Sequence, residues 1–289
     1  MNTYFDREQK NAILAGEDLQ KDLEEFLTEV CDPKSERSIR HAGLFGSAGM
    51  RKSFLSELKA VESGLPFDII KGQASLFGMA QNLAVLKVKH GDSPVIIIID
   101  DCDKLFVDAD SINTMKELLG PTGMFSYSKN LHLNSIPEGA KRDAVEVFMS
   151  DDATGFQIDC TNFRFIITSN TELPSIKTLR TAKARLGDKP TTPSVQKLDH
   201  LHAIRTRIRY KRIEASLEEV WGSIAYVLLT TDMMTHRTEE EKKIILNWMW
   251  SHRHDMTEFN VRTTIDMSDD ITALGVEDSL DRWMYNYVE

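Results

Sequence analysis

Val95-Ile96-Ile97-Ile98-Ile99 leads directly into Asp100-Asp101, and few folds can hold such a segment. β-Branched side chains are at home in a strand, and the lack of polar alternation means that both faces of this strand are buried. A strand dry on both faces belongs to a parallel sheet covered by helices, so an α/β protein is expected. Ligands of such sheets bind at the carboxyl ends of the strands. Asp100 and Asp101 stand at that end, placed for work on a cation or a water molecule. A solvated carboxylate pair is the plainer alternative.

Upstream, Ile39 to Phe45 is predicted as a strand, Gly46-Ser47-Ala48-Gly49-Met50-Arg51-Lys52-Ser53 as a loop, and Ser53 to Val61 as a helix with Phe54, Leu55, Leu58 and Val61 at helical spacing. The loop nearly fits G-x-x-x-x-G-K-[ST], in which backbone N–H groups cradle a phosphate, the Lys reaches the terminal phosphates and the hydroxyl binds Mg²⁺. The following helix start adds oriented N–H groups and a positive dipole end. Lys52 and Ser53 occupy the last two positions, and Arg51 stands where the pattern has Gly. If its φ is positive, Arg51 costs about 1–3 kcal/mol of strain. A Gly-containing turn before an ordinary helix is the alternative. Asp100 is then the residue to hold Mg²⁺ through water and Asp101 the one to orient or deprotonate the attacking water, with Asp103 as a substitute.

The rest of the chain falls into order around these motifs. Residues from about 4 to 30 have helical periodicity, closed by Asp32-Pro33. A strand is predicted at 66–71, helices at 76–89 and 111–119, and a strand at Phe163–Thr168 that ends in Ser169-Asn170. Between them, Gly120 to Ile158 reads as a long irregular stretch containing Lys129, His132, Lys141 and Arg142. Beyond Leu217 only helices are expected. The division is an N-terminal helical segment (1–36), an α/β domain (37–214) and a helical lid (215–289), with no internal repeat.

Charge and composition narrow the function. With 289 residues and a net charge of −10, the chain as a whole repels nucleic acid and anionic membranes. Any nucleic-acid contact needs a local basic surface, and residues 177–212 turn basic, with Lys177, Arg180, Lys183, Arg185, Lys189, Arg205, Arg207 and Arg209 among them; the same cations could equally serve nucleotide sites and subunit contacts. No apolar run approaches the roughly 20 residues of a membrane span, and no secretory signal is evident at the N-terminus. Three cysteines, Cys31, Cys102 and Cys160, argue for a reducing compartment, hence the cytoplasm. His200/His202 and His252/His254 have the wrong spacing for zinc on one helical face.

Taken together, GSAGMRKS, VIIIIDDCDKL, FRFIITSN, AIRTRIRYKRI and FNVRTTI resemble, in content and order, an AAA+ P-loop ATPase over about residues 39–265. The DDCD motif and short lid are most similar to small AAA family ATPases encoded by bacteriophages, which would place the chain in a bacterial host's cytoplasm. The resemblance implies ATP and Mg²⁺ as cofactors, residues 46–53 as Walker A, Asp100 and Asp101 as Walker B, and Asn170 as the sensor-1 residue. It implies an arginine finger at Arg207, with Arg205 as the alternative, and a sensor-2 arginine at Arg262. Leu76-Phe77-Gly78 falls where such proteins carry a pore loop, although core residues of the next helix would look the same. A ring or helical homo-oligomer, hexameric in some arrangements, is implied, acting on a DNA or protein polymer. The other expectation is a nucleotide-binding assembly protein in which Arg51 and the short Asp101, in place of the usual Glu, have slowed hydrolysis.

Overall fold

The computed structural model describes residues 5–32, 34, 40–47, 49–72, 75–127, 136–149, 155–187, 189 and 191–288. Expectations for Ile39, Ala48, Lys129 and His132 lie outside the described residues. The elements in chain order are α1 (Arg7–Cys31), β1 (Ala42–Gly46), α2 (Lys52–Glu62), β2 (Phe67–Lys71), α3 (Leu76–His90), β3 (Val95–Asp100), α4 (Ala109–Leu118), β4 (Met124–Tyr127), α5 (Ala140–Val147), β5 (Phe156–Asp159) and β6 (Phe163–Ser169). They continue as α6 (Ile176–Leu186), α7 (Pro193–Arg205), β7 (Arg209–Ile213), α8 (Leu217–Thr230), α9 (Glu239–His252), α10 (Val261–Leu274) and α11 (Val276–Tyr287). Two compact units form, one from 27–46 and 53–212, the other from 1–26, 47–52 and 213–289. Most of the N-terminal helix thus clusters with the C-terminal helices, where the sequence had suggested three consecutive segments.

The first unit is built on a five-stranded sheet of order β2-β3-β6-β1-β7. β2 with β3, β3 with β6, and β6 with β1 pair in parallel. The apolar run does what its lack of alternation requires: Val95 to Ile99 are fully buried, as are Phe163, Phe165, Ile166 and Ile167 on the neighbouring strand. From β1 the chain crosses to β2 at the far edge, whereas from β6 it passes β1 to reach β7. Adjacent strands that send the chain in opposite directions open a crevice at their carboxyl ends. Phe45 lies beside Ser169 and Asp100 beside Thr168 in the ladder, so the ends of β1, β6 and β3 are level there.

The described residues within 120–158 depart from the irregular stretch expected. β4 and β5 pair antiparallel, α5 lies between them in sequence, and Phe125, Val145, Phe156 and Ile158 are buried in the main core. The aromatic residues that close this core are spread among turn-forming ones, so no periodicity announced them.

In the second unit, α1 packs on α8. Phe5 meets Trp221 edge to face at 5.9 Å, and Gln9 donates to Asn247 at 2.8 Å. Gly16 and Gly222 let the two helix backbones touch: a Cβ on Gly222 would stand 1.7 Å from the Ala12 carbonyl oxygen. Trp221 is fully buried, donates its indole N–H to Leu246 O at 2.9 Å, and stacks on edge with Trp250 at 4.7 Å. Capping boxes at Ser216/Glu219 and Thr238/Glu241 set the starts of α8 and α9. No helix among the described residues is long and apolar enough to cross a membrane.

All three cysteines are buried and none is in a disulfide among the described residues. Burial pushes the thiols of Cys31 and Cys160 up to about 12, leaving a thiolate fraction of roughly one in ten thousand near pH 8. Native protein treated with a thiol reagent is therefore expected to stay unlabelled at these two residues until it unfolds, when all three react. Since unfolding frees thiols of ordinary acidity, stability should also decline as pH rises past about 8.5. Peptide mapping after labelling with and without urea checks the first expectation; rapid native labelling of Cys31 or Cys160 would contradict it.

Candidate functional site

The strand ends gather one group of side chains within the sheet-containing unit. Asp100, only 8% exposed, accepts hydrogen bonds at Oδ1 from both Ser53 Oγ and Thr168 Oγ1. Parallel register brings Thr168 to it, and α2, starting immediately after the loop, brings Ser53. A buried carboxylate is tolerated because two hydroxyls satisfy it. The donor set, one carboxylate and one hydroxyl oxygen side by side, fits Mg²⁺, which binds through few protein oxygens and completes its shell with water and phosphate. Among the described residues no three His, Cys, Asp or Glu side chains are grouped to hold a metal by themselves. His202 Nδ1 is instead within hydrogen-bond range of Pro174 O and His252 Nδ1 of Trp248 O, at 3.1 and 2.8 Å.

Asp101 follows with φ 51°, a left-handed conformation that a non-Gly residue adopts at a cost. Its N–H is held by Thr168 O at 3.1 Å, which fixes the turn, and its side chain is exposed beside Asn170, whose Nδ2 lies 3.5 Å from Oδ1. The expected partners Asp101 and Asn170 are thus brought together at the ends of β3 and β6. Asp103, the substitute, is engaged elsewhere: it accepts from Ser169 Oγ at 2.6 Å and Thr171 Oγ1 at 3.2 Å, tying down the β6 exit.

The loop residues 47–52 belong to the helical unit. Gly46 and Gly49 have φ of 151° and 81°, and Arg51 has φ 56°. Arg51 therefore does adopt the strained conformation that its sequence position suggested. Its side chain, though, runs to α1, where Nη1 donates to Gln20 Oε1 at 2.9 Å and Gln20 in turn donates to Glu24 at 2.7 Å. Burial lowers the guanidinium pKa to about 10 while the nearby Glu24 charge opposes that shift, so Arg51 stays cationic at neutral pH. Lys52 opens α2, is buried, and donates to Ser47 O at 2.8 Å, closing the loop on itself. Met50 is also buried.

Gly49 lies directly against α10. A Cβ there would fall 2.6 Å from Asn260 Cβ. Asn260 is the N-cap of α10, its Oδ1 accepting from the N–H groups of Arg262 and Thr263 at 2.8 and 3.2 Å. The helix start that carries the exposed Arg262 is thereby packed on the middle of the loop. Nothing in the sequence linked Asn260 to Gly49 or Gln20 to Arg51, since each pair joins distant segments.

The two candidate finger residues have different surroundings. Arg205 donates to Leu173 O at 2.7 Å and lies over the Tyr210 ring at 3.5 Å, so it braces the segment before α6. Arg207 donates from Nη1 to Ala203 O at 2.6 Å, and its buried Nε has no hydrogen-bond partner. Leu76-Phe77-Gly78 is the first turn of α3, capped by Ser75; Leu76 and Phe77 pack on the main core and Phe77 meets Tyr127 at 5.4 Å. Leu76 and Phe77 thus pack as core-facing residues of α3, which begins at Leu76, where the sequence places a helix.

No protein-family model matches the chain, and no curated protein is significantly similar to it. What the site can do rests on its own chemistry. Of the three described non-Gly residues at positive φ, Arg51 and Asp101 fall in the two motifs singled out from sequence and Met234 falls outside them; strained residues of this kind concentrate at ligand clamps and active sites. Thr168 is the side chain of this cluster that the sequence did not single out: a Thr inside an apolar strand two residues before Asn170 was the available signal.

Proposed function

We propose that the chain is a Mg²⁺-dependent ATPase of the AAA+ type, similar to the small bacteriophage-encoded members. The contact of Ser53 with Asp100 is the observation that carries this, because it joins the end of the phosphate-loop motif to the acidic end of β3. On this proposal Gly46 to Ser53 bind the phosphates through backbone N–H groups, and Lys52 neutralises their charge. Ser53 and Asp100 would hold Mg²⁺, which when bound supplies charge neutralisation at the phosphate oxygens. Asp101 takes the proton of the attacking water, and Asn170 fixes that water's position. Arg207, donated by a neighbouring copy, and Arg262 stabilise the charge that develops on the transferred phosphoryl group. Turnover in a ring or helical homo-oligomer, a hexamer being one arrangement the resemblance implies, would drive work on a DNA or protein polymer.

Steady-state ATPase assays and binding of a fluorescent ATP analogue, with and without Mg²⁺, test this. The Lys52→Ala variant is expected to turn over at least about a hundredfold more slowly than the native chain. Equal rates in the two, with no nucleotide binding by the native chain, would reject the function.

A second reading has one observation of its own, the φ of 56° at Arg51. It holds that the chain binds nucleotide mainly to set its assembly state, hydrolysis being slow. Under it, native protein and Lys52→Ala are equally inactive while ATP still shifts the sedimentation of native protein, and Arg51→Gly raises the turnover.

A further inference from the structure

We infer that α6 is a docking surface for the phosphate backbone of a nucleic acid, bound without regard to sequence. This names the polymer class within the function proposed above and rests on it for that step; the binding surface itself stands on the helix. α6 contains four basic residues, Lys177, Arg180, Lys183 and Arg185, and no acidic one, in a chain whose net charge is −10. Only Leu179 of this helix is fully buried, so the face opposite it is open to solvent.

Position on the helix separates these cations from an ordinary solvated face. Lys177, Arg180, Thr181, Ala184 and Arg185 recur at spacings of three and four away from Leu179, Ala182 and Leu186, and all five are exposed. Small Thr181 and Ala184 leave room between the cationic arms for a strand to approach. Lys177 lies in the first turn, where the helix dipole disfavours positive charge, so the dipole supplies no reason for it there. Only the cations of the last turn, Lys183 and Arg185, suit the dipole.

Pairing points the same way. In this unit Lys59, Lys71, Lys87 and Arg212 each have a carboxylate partner, whereas Lys89, Lys116 and Lys141 stand singly without one among the described residues; α6 differs in gathering several such cations on one helix. On α6 only Lys183 has a carboxylate partner, Asp199 of α7 at 3.2 Å. Among the described residues no carboxylate pairs with Lys177, Arg180 or Arg185, nor with the nearby exposed Lys189 and Lys197. Glu172, the nearest preceding acid, is taken by Arg212 at 2.6 Å.

The mount is firm. Ser175 caps the helix by accepting from Thr178 N–H at 3.1 Å, and Arg205 and His202 of α7 hold the carbonyls of Leu173 and Pro174. The segment from Thr171 to Ser175 joins α6 to Asn170, so a strand on α6 lies one short, braced connection from the proposed water-positioning residue. No aromatic side chain lies on α6, which excludes base stacking there and leaves phosphate contact as the means of binding.

Fluorescence anisotropy of the full chain with a labelled single strand, a duplex and an RNA, each of roughly 30 nucleotides, tests the inference over about 50–200 mM salt. Binding is expected at the low end and should weaken steeply with salt. Lys177→Ala/Arg180→Ala/Arg185→Ala should weaken it at least about tenfold and flatten the log–log salt slope by about 2–3, since each lost phosphate contact removes roughly 0.7–0.9. Basal ATPase of that variant should be unchanged, and Lys89→Ala/Lys141→Ala, elsewhere in the same unit, should bind as native does. The arm that binds most tightly identifies the nucleic acid. No binding by the native chain at low salt, or equal binding by the triple variant, overturns the inference while leaving the ATPase proposal to its own assay. Loss of ATPase in Lys52→Ala with nucleic-acid binding retained supports both.

Discussion

Asp101→Gly is expected to lower kcat for ATP hydrolysis by at least about a hundredfold without making the protein less stable. The two effects have separate causes. Removing the carboxylate takes away the group proposed to accept the water proton, while the phosphate loop and the Ser53–Asp100 pair that would bind nucleotide are untouched. KM should therefore change much less than kcat. The backbone at residue 101 sits at φ 51°, where Gly is relieved of the Cβ clash that an Asp bears. Offset by the greater freedom of Gly in the unfolded chain, that relief leaves a net change between zero and about +1 kcal/mol. A residue kept only for the turn would show no loss of rate. A drop in denaturation midpoint comparable with that of a core variant would mean that the Asp101 side chain holds the fold, and its proposed role would fall.

The second large effect concerns α1 and α8. Gly→Ala inside a helix ordinarily stabilises by about 1 kcal/mol. At Gly222 the sign should reverse, to a loss of about 3 kcal/mol or more, because the new methyl would lie 1.7 Å from Ala12 O and 2.4 Å from Ala12 C. Gly16→Ala should behave alike, with backbone atoms of residues 222 and 223 each at 2.1 Å. α1 cannot draw back from α8 without parting the Phe5–Trp221 contact and the Gln9–Asn247 bond that ties α1 to α9. Gly78→Ala in α3 is the control, since its Cβ would meet only Ser75 Oγ at 3.4 Å; it should be neutral or slightly stabilising. Urea titrations of the three variants decide. If Gly222→Ala and Gly78→Ala shift the midpoint equally, the close helix contact does not exist in solution.

The elements differ in how far they could be read in advance. β3 was legible because a dry strand announces itself by composition alone, and Asp100 is buried and hydroxyl-satisfied at its end. Asn170 was legible as the last residue after an apolar strand, and parallel register carried it to Asp101. Residues 120–158 were not, because β4 and β5 pair across a long separation, and a short strand of that kind has no periodicity of its own. Phe77 was ambiguous since an aromatic at a helix start looks the same whether it faces a core or a channel; its contact with Tyr127 depends on where β4 lies. Arg205 and Arg207 were equivalent as neighbouring cations, and only the Tyr210 ring and the Leu173 carbonyl separated them.

By itself the sequence determined that the chain is α/β, that a near match to the phosphate-loop pattern precedes a helix, and that carboxylates end a buried strand. These are local properties, set by side-chain branching, spacing and the residues at element ends. Tertiary structure alone decided that Thr168 joins Ser53 on Asp100, that Asp101 is held left-handed, and that Arg51 is anchored on Gln20. It also placed the start of α10 against Gly49 and the first half of α1 against α8. Each of these joins residues far apart in the chain, so it depends on which faces pack together, and packing is a property of the whole chain that no single stretch encodes.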